Sequence, residues 1–186
     1  MANLEEQLGV VNENDEVIGK ETRKKIHEQG LLHREIHVWF VTPHGTMIFQ
    51  HRAKDKDNFP DMLDATVGGH VDLGMTYENT AIKEMQEETG IKAHMNDLHF
   101  LRKMRIRAVD AATGKINNTI RVQYAYIFKG DLSELKIEEG KAIGFEEWPI
   151  KRLFILSAEE KKRFSPLISS QEFLGLFKDA EKLVNC

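Results

Sequence analysis

The sequence predicts a mixed α/β fold. The chain has 186 residues, of which 41% are hydrophobic and 30% are charged, a composition typical of one globular domain with a sizeable core. Strand-like segments fill its middle, and helical patterns interrupt and follow them, as expected of a mixed α/β domain. No repeat, low-complexity tract or flexible linker divides the chain. We therefore expect residues 1–186 to form a single domain.

The first half of the chain is predicted to contain two hairpins. Each places short apolar runs on both sides of a polar or Pro/Gly-containing turn, which is the usual hairpin signal. In order, the predicted elements are a hairpin of Val10–Val11 and Val17–Ile18 around NENDE, a helix over Glu21–Gln29 ended by Gly30, a hairpin of Val38–Val41 and Met47–Gln50 around Pro43-His44-Gly45, and a strand over Met62–Val67 that leads into Gly68-Gly69.

The strongest helix signal follows these hairpins. Thr76 is a suitable N-cap, apolar side chains from Tyr77 to Met85 recur at helical spacing, and Gly90 is placed to end the helix. The remaining predicted elements are strands over His99–Val109 and Ile120–Lys129 joined by the turn AATGKINN, a strand over Phe145–Pro149, and helices over Ile150–Phe154, Ala158–Arg163 and Ser169 to about Val184.

Composition excludes several classes of function. The formal net charge of −4 argues against a nucleic-acid partner, because such binders usually carry a basic surface. The single cysteine, Cys186, allows neither an intrachain disulfide nor a cysteine-based zinc cluster. The longest stretch without charged residues, Ile36–His51, contains Pro43 and Gly45 and predicts a hairpin, not a membrane span. Since MANLEEQLG also lacks the features of a secretion signal, we expect a cytoplasmic protein without a membrane partner.

The segment from Gly68 to Ile91, GGHVDLGMTYENTAIKEMQEETGI, carries the chemistry. Its helix holds three glutamates at spacing i, i+3 and i+4, so their carboxylates project from one side and repel one another. A bound Mg²⁺ would reverse that repulsion, because it prefers carboxylate oxygens and phosphates. The preceding glycines allow a loop that approaches a phosphate chain closely. An acidic helix face alone is usually solvated surface, so the hypothesis of a metal-assisted phosphoryl site depends on the combination.

This combination resembles the Nudix box, G-x5-E-x7-R-E-U-x-E-E-x-G-U, in which U is aliphatic. The matching residues are Gly69, Glu84, Met85, Glu87, Glu88, Gly90 and Ile91, so the box covers about residues 69–91. Two positions depart, because Met75 replaces the first glutamate and Lys83 replaces the arginine. Lysine keeps the positive charge but lacks the bidentate geometry of arginine.

The resemblance implies a Nudix-type α/β/α sandwich with a central mixed β-sheet, onto which C-terminal helices at about 150–184 pack. It implies Mg²⁺, with Mn²⁺ as an alternative, and attack by water on a phosphoanhydride of a nucleoside diphosphate derivative. Glu84, Glu87 and Glu88 would be the metal ligands and catalytic residues. The partner would be a small nucleotide or another diphosphate, and homodimers are frequent in this superfamily.

The region before the box is also similar to isopentenyl-diphosphate isomerase, a member of the same superfamily, through DEVIG, GLLHREIHVWF and HRAKDKDNFPDMLDATVGGHV. His33 and His70 fall on metal-binding histidines of that enzyme, and His27 lies near a third. The isomerase cysteine, however, is replaced by Gly68, and no glutamate occurs between Glu88 and Glu134 to supply its later Glu-x-Glu. Without these acid and base groups, proton transfer to carbon has no catalyst. We therefore interpret the chain as a hydrolase of the branch that shares the isomerase's N-terminal half. In this interpretation His33 and His70 are retained scaffold or substrate contacts and not a working metal site.

Two alternatives remain at this point, the isomerase itself and a catalytically weak, nucleotide-sensing Nudix module, which Met75 and Lys83 would favour. The predicted substrate-binding residues are Arg52, Gly68, Gly69, His70 and Lys83, with Arg52 preferred as the phosphate ligand. Lys103, Arg105 and Arg107 share one face of a strand and either meet phosphate or protect a sheet edge. The candidates for general base are Glu84, Glu138, Glu139, Glu146 and Glu147.

Overall fold

The computed structural model describes residues 5–55, 59–109 and 114–184. Its strands are β1 (Gln7–Val11), β2 (Val17–Thr22), β3 (His33–Val41), β4 (Thr46–Arg52), β5 (Leu63–Asp64), β6 (Val67–His70), β7 (Leu98–Val109), β8 (Ile116–Ile127) and β9 (Ala142–Pro149). Its α-helices are α1 (Arg23–Gln29), α2 (Tyr77–Thr89), α3 (Ile150–Leu153), α4 (Ala158–Lys161) and α5 (Gln171–Lys182). Cys186, the first four residues and residues 111–113 of the AATGKINN turn lie outside the described residues.

Strand β3 lies at the centre of a mixed sheet. It pairs in parallel with β8 along nine residues and antiparallel with β4 and β6. The sheet continues from β8 to β7 on one side, and from β4 to β5 and β9 on the other. The pairing of β3 with β6 is important for the site, because it fixes the strand that runs into the glutamate-bearing helix.

The side chains of β3 alternate between two buried layers, as the pleat of a strand requires. Val38 and Phe40 point to the layer that contains Met85 of α2. Trp39 and Val41 point to the opposite layer, which contains residues of α3 and α5. The predicted α/β/α sandwich with a central mixed sheet is thus confirmed.

Most predicted elements are confirmed with ends shifted by a few residues. The two N-terminal hairpins, the helix ended by Gly30 and the helix between Thr76 and Gly90 form as expected. The turn predicted over AATGKINN is shorter in the structure, because Ile116, Asn117 and Asn118 already pair with β7.

The prediction of one strand over Met62–Val67 was wrong. The chain forms β5 and β6 instead, separated by Ala65 and Thr66. The side chain of Thr66 explains the break, because its hydroxyl donates to the carbonyl of Ile48 and accepts from the amide of Phe40 at 3.0 Å. A side chain that replaces ladder hydrogen bonds lets the chain change direction at this point.

Among the described residues, no helix combines the length and apolar character needed to cross a bilayer.

Candidate functional site

Helix α2 positions the three glutamates through its caps and its buried face. The Thr76 hydroxyl accepts from the Asn79 amide at 3.2 Å, and Gly90 ends the helix in the left-handed conformation with φ 73°. Ala81 and Met85 pack into the core on the inner face. With this face of the helix turned to the core, Glu84 and Glu88 are buried and the Glu87 side chain is about half exposed, at 52%. The glutamates therefore form a buried pair with a third carboxylate at the rim.

Glu88 is held by three donors. Its carboxylate accepts from Gln50 Nε2 at 2.6 Å and from the Gly68 amide at 3.4 Å, and it lies 2.7 Å from Lys141 Nζ. Burial raises the pKa of Glu88 to about 7, although the adjacent Lys141 opposes that rise. Because burial makes the charged form of this carboxylate costly, a bound cation would stabilise that charged form strongly.

Lys141 lies between the acids of the box. Its ammonium is 2.7 Å from Glu88, 3.1 Å from Glu84 and 3.6 Å from Glu138. Burial alone would lower its pKa, but the charges of Glu88 and Glu84 raise it well above its usual value. Sequence reasoning missed this residue, because one lysine far beyond the box carries no signal that it folds back onto it.

Gly68 and Gly69 lie in strand β6, opposite His37 and Ile36 of β3, so the expectation that they belong to a loop was wrong. Gly69 is needed because of a close approach. A Cβ atom there would lie 2.7 Å from Cγ and Cδ of Glu84, a distance that real contacts essentially never show. The glycine therefore makes room for the buried glutamate.

We predict that Gly69→Ala displaces the Glu84 carboxylate and lowers metal affinity and activity by about 10- to 100-fold, the range found for residues that orient ligands. Gly19→Ala is the matched control, because Gly19 also lies in a strand and has no atom within 4 Å of an added Cβ. Metal titration and steady-state rates of the two variants check the prediction. Equal values for Gly69→Ala and Gly19→Ala would contradict it.

Lys83 and Met75, the two departures from the box pattern, both lie close to Asp72. Lys83 Nζ bonds Asp72 at 2.9 Å and lies 3.8 Å from Glu84 and 4.0 Å from Glu87. Met75 packs at the edge of the apolar layer under α2. Asp72 thus supplies a carboxylate for the lysine close to the position where the pattern has its first glutamate.

The predicted substrate-binding residues lie around one cleft of about 940 Å³. Arg52, Gly68, Gly69, His70 and Lys83 all line it, together with Glu84 and Glu87. Arg52 Nη1 is 3.9 Å from Asp64, and its side chain is 22% exposed. The cleft therefore brings cationic side chains to the same space as the box carboxylates.

Other charged candidates are held elsewhere. Lys103 bonds Asp15, and Arg105 lies 3.3 Å from Glu13, so both engage acids of the β1–β2 turn. Among the general-base candidates, Glu138 lines the cleft, whereas Glu146 bonds Arg163 at 2.6 Å. Thr46 donates to Glu147.

Three histidines meet beside another part of the same cleft, which His27 and His70 line. The possible ligand atoms of His27, His33 and His70 all lie within 4.8 Å of one another. His27 Nε2 is 3.2 Å from His70 Nε2, which is also 3.2 Å from Glu35. Within the described part of the chain, the buried Nε2 of His33 has no hydrogen-bond partner. The resemblance to the isomerase indicated His33 and His70 and placed His27 near a third histidine, and the structure brings the three together.

The chemistry of this histidine cluster suits a transition metal. Burial lowers the pKa of His27 to about 4 and lowers the pKa of both His33 and His70, so the three rings are neutral at pH 7. Neutral imidazole is a common ligand of zinc and related metals. Glu35 is oriented by Arg121, whose Nε donates to it at 2.9 Å.

The family model of the NUDIX domain matches residues 31–168 of the chain. The chain belongs to the Nudix family. An uncharacterized Nudix hydrolase from Clostridium acetobutylicum is 31% identical over 153 residues, which are 80% of this chain and 72% of that relative. Another, from Streptomyces coelicolor, is 38% identical over 90 residues, and the match spans 48% of this chain and half of that relative.

Solved structures agree on the Nudix fold. A Deinococcus radiodurans protein, DR0079, superposes with a TM-score of 0.61 at 24% identity and covers 81% of this chain and 87% of its own. The NUDIX domain of Shewanella oneidensis NrtR, complexed with ADP ribose, gives a TM-score of 0.56 at 15% identity, covering 83% and 88%. The family and its hydrolase relative indicate an enzyme that acts on pyrophosphate bonds, in a family that generally uses divalent cations.

Proposed function

We propose that this Nudix protein is a Mg²⁺-dependent hydrolase that cleaves a phosphoanhydride bond of a nucleoside diphosphate derivative. The observation that carries the proposal is the buried pair of Glu84 and Glu88, neutralised by a lysine ammonium beside a cleft. Such a carboxylate set suits a hard divalent cation, and Mn²⁺ is an alternative. When bound, the metal would polarise a phosphate and lower the pKa of water.

We assign the other roles in the reaction to residues around the cleft. Glu84 and Glu88 would hold the metal from within, and Glu87 would do so from the rim. Arg52 and Lys83 would bind phosphate oxygens of the substrate. The strand that contains Gly68, Gly69 and His70 would form the floor beneath the diphosphate. Glu84 and Glu138 are the preferred general bases, because both lie at the cleft.

The cleft and one structural neighbour support the substrate class that we propose. The cleft of about 940 Å³ is large enough for a nucleotide with a second group attached. The NrtR domain, solved with ADP ribose, favours a dinucleotide-like or sugar-linked diphosphate. We also propose that residues 1–186 act as one domain. A homodimer, which is frequent in this superfamily, stays a prediction. The cytoplasmic location stays a prediction from composition.

The test is incubation of the protein with nucleoside diphosphates and triphosphates, nucleotide sugars, dinucleotides and isopentenyl diphosphate, with Mg²⁺ or with EDTA. We expect Mg²⁺-dependent release of a nucleoside monophosphate or of phosphate. Tight binding without turnover would support the sensing module instead. Rearrangement of isopentenyl diphosphate without phosphate release would support the isomerase.

The histidine cluster favours a second metal, and with it the branch that resembles the isomerase. We propose that His27, His33 and His70 bind a transition metal such as Zn²⁺, with Glu35 as a further oxygen ligand or as the group that orients His70. The unpartnered Nε2 of His33 is the observation that supports this site. The missing Cys and Glu pair still argue against isomerase chemistry, so the role would be structural or in substrate binding.

We predict that Zn²⁺ stabilises the metal-free protein through these histidines. At a free concentration 100 times Kd the gain is about 2.7 kcal/mol, and each kcal/mol raises Tm by about 2–4 °C in a chain of this size. His33→Asn should abolish the gain, whereas the exposed His44→Asn should keep it. Differential scanning calorimetry checks this, and an equal Zn²⁺ response of both variants would overturn the site.

A further inference from the structure

The ammonium of Lys141 lies where the box carboxylates converge. Its distances to Glu88 and Glu84 are 2.7 and 3.1 Å, within hydrogen-bonding range, and Glu138 follows at 3.6 Å. The proposed function assigns the oxygens of Glu88 and Glu84 to Mg²⁺. A lysine and a divalent cation cannot both use them, because like charges repel strongly in a buried site.

The backbone of Lys141 is held by hydrogen bonds, and its ammonium is carried by a long side chain with several rotatable bonds. The Lys141 amide donates to the Glu138 carbonyl at 3.1 Å, and its carbonyl accepts from the Ala53 amide at 3.2 Å. Gly140, with φ 74°, forms the tight turn that precedes it. From this anchored Cα, a flexible four-carbon stem reaches the acids. Lys141 also lines the cleft, so the same stem can point its ammonium toward a bound diphosphate.

We propose that Lys141 is a displaceable counter-ion, which neutralises Glu84 and Glu88 in the metal-free protein and moves to a phosphate of the substrate when Mg²⁺ takes those carboxylates. The inference rests on the proposed function. It makes Lys141 a substrate-binding residue outside the box. It also makes metal loading and diphosphate binding cooperative. Mg²⁺ binding releases the ammonium for the diphosphate, and diphosphate binding draws the ammonium away from the carboxylates that Mg²⁺ needs.

The first experiment is calorimetric titration with Mg²⁺ alone, which prefers oxygen ligands over imidazole and therefore does not report on the histidine cluster. Lys141→Met should bind Mg²⁺ about tenfold more tightly than the wild type, because no ammonium competes for the carboxylates; this factor lies within the usual range for coupling between two binding events. Lys141→Arg should restore weak binding, and the exposed Lys20→Met is the matched control. If Lys141→Met does not fold without metal, Lys141→Gln supplies a neutral side chain that still donates to Glu84.

The second experiment measures binding of α,β-methylene ADP at saturating Mg²⁺. Lys141→Met should bind this non-hydrolysable diphosphate several-fold more weakly, and Lys141→Arg should bind it nearly as well as the wild type. Unchanged or weaker Mg²⁺ binding by Lys141→Met would overturn the inference, and so would unchanged binding of the diphosphate. If Glu84→Gln and Glu88→Gln leave Mg²⁺ binding unaltered, the proposed function itself fails.

Discussion

Glu88→Gln should reduce kcat by on the order of 10²- to 10³-fold, the loss found when one group that stabilises transition-state charge is removed. The amide keeps the size of the side chain, but it retains one acceptor oxygen for the two donors Gln50 Nε2 and the Gly68 amide, and it removes the charge that would hold the metal. Rates at saturating Mg²⁺ and substrate measure the effect, with circular dichroism to confirm folding.

Glu87→Gln is the matched control for this prediction. Glu87 belongs to the same helix but its side chain is 52% exposed, whereas that of Glu88 is 1% exposed. A ligand at the rim is more easily replaced by water, so we expect Glu87→Gln to lose less activity than Glu88→Gln. If Glu88→Gln keeps more than a tenth of the wild-type kcat, Glu88 does not hold the catalytic metal.

Glu35→Ala should lower the free energy of unfolding by about 3–5 kcal/mol, because it leaves the Arg121 charge buried without its partner. Arg121 is 5% exposed, and its guanidinium bonds Glu35 through Nε and Nη2. Both residues belong to paired central strands, β3 and β8, so the loss affects the middle of the sheet.

Urea denaturation in EDTA measures this loss without a contribution from metal at the histidine cluster. Glu159→Ala is the control, since the Lys162–Glu159 pair is exposed on both sides and should contribute about 0–1 kcal/mol. A double variant, Glu35→Leu with Arg121→Met, should recover stability relative to Glu35→Ala. Glu35→Ala and Glu159→Ala with equal stabilities would contradict the prediction.

The features that sequence predicted are those with local causes. Helix α2 has its cap at Thr76, its apolar stripe and its terminating Gly90 within fifteen residues of one another, so nothing distant is needed to place it. The box spacing likewise places Glu84 and Glu88 one turn apart on one face. The hairpin turn around Pro43-His44-Gly45 fixes the pairing of β3 with β4 by chain geometry alone.

The features that sequence did not predict depend on contacts between distant parts of the chain. Lys141 reaches Glu84 from 57 residues away, and Arg121 reaches Glu35 from 86 residues away. Thr66 interrupts a predicted strand by bonding to β3 and β4, which only the folded sheet brings next to it. In each case the two partners are neighbours in the folded structure but are far apart in the sequence.

The most direct test of the central claim is hydrolysis of ADP-ribose by the metal-free protein, before and after addition of Mg²⁺, in water enriched in ¹⁸O. We expect turnover only with Mg²⁺, cleavage into two phosphomonoesters, and one ¹⁸O atom on one of the two phosphates, as attack by water on a phosphoanhydride requires. No cleavage of ADP-ribose or of any other nucleoside diphosphate derivative, combined with Mg²⁺-independent binding, would contradict the account.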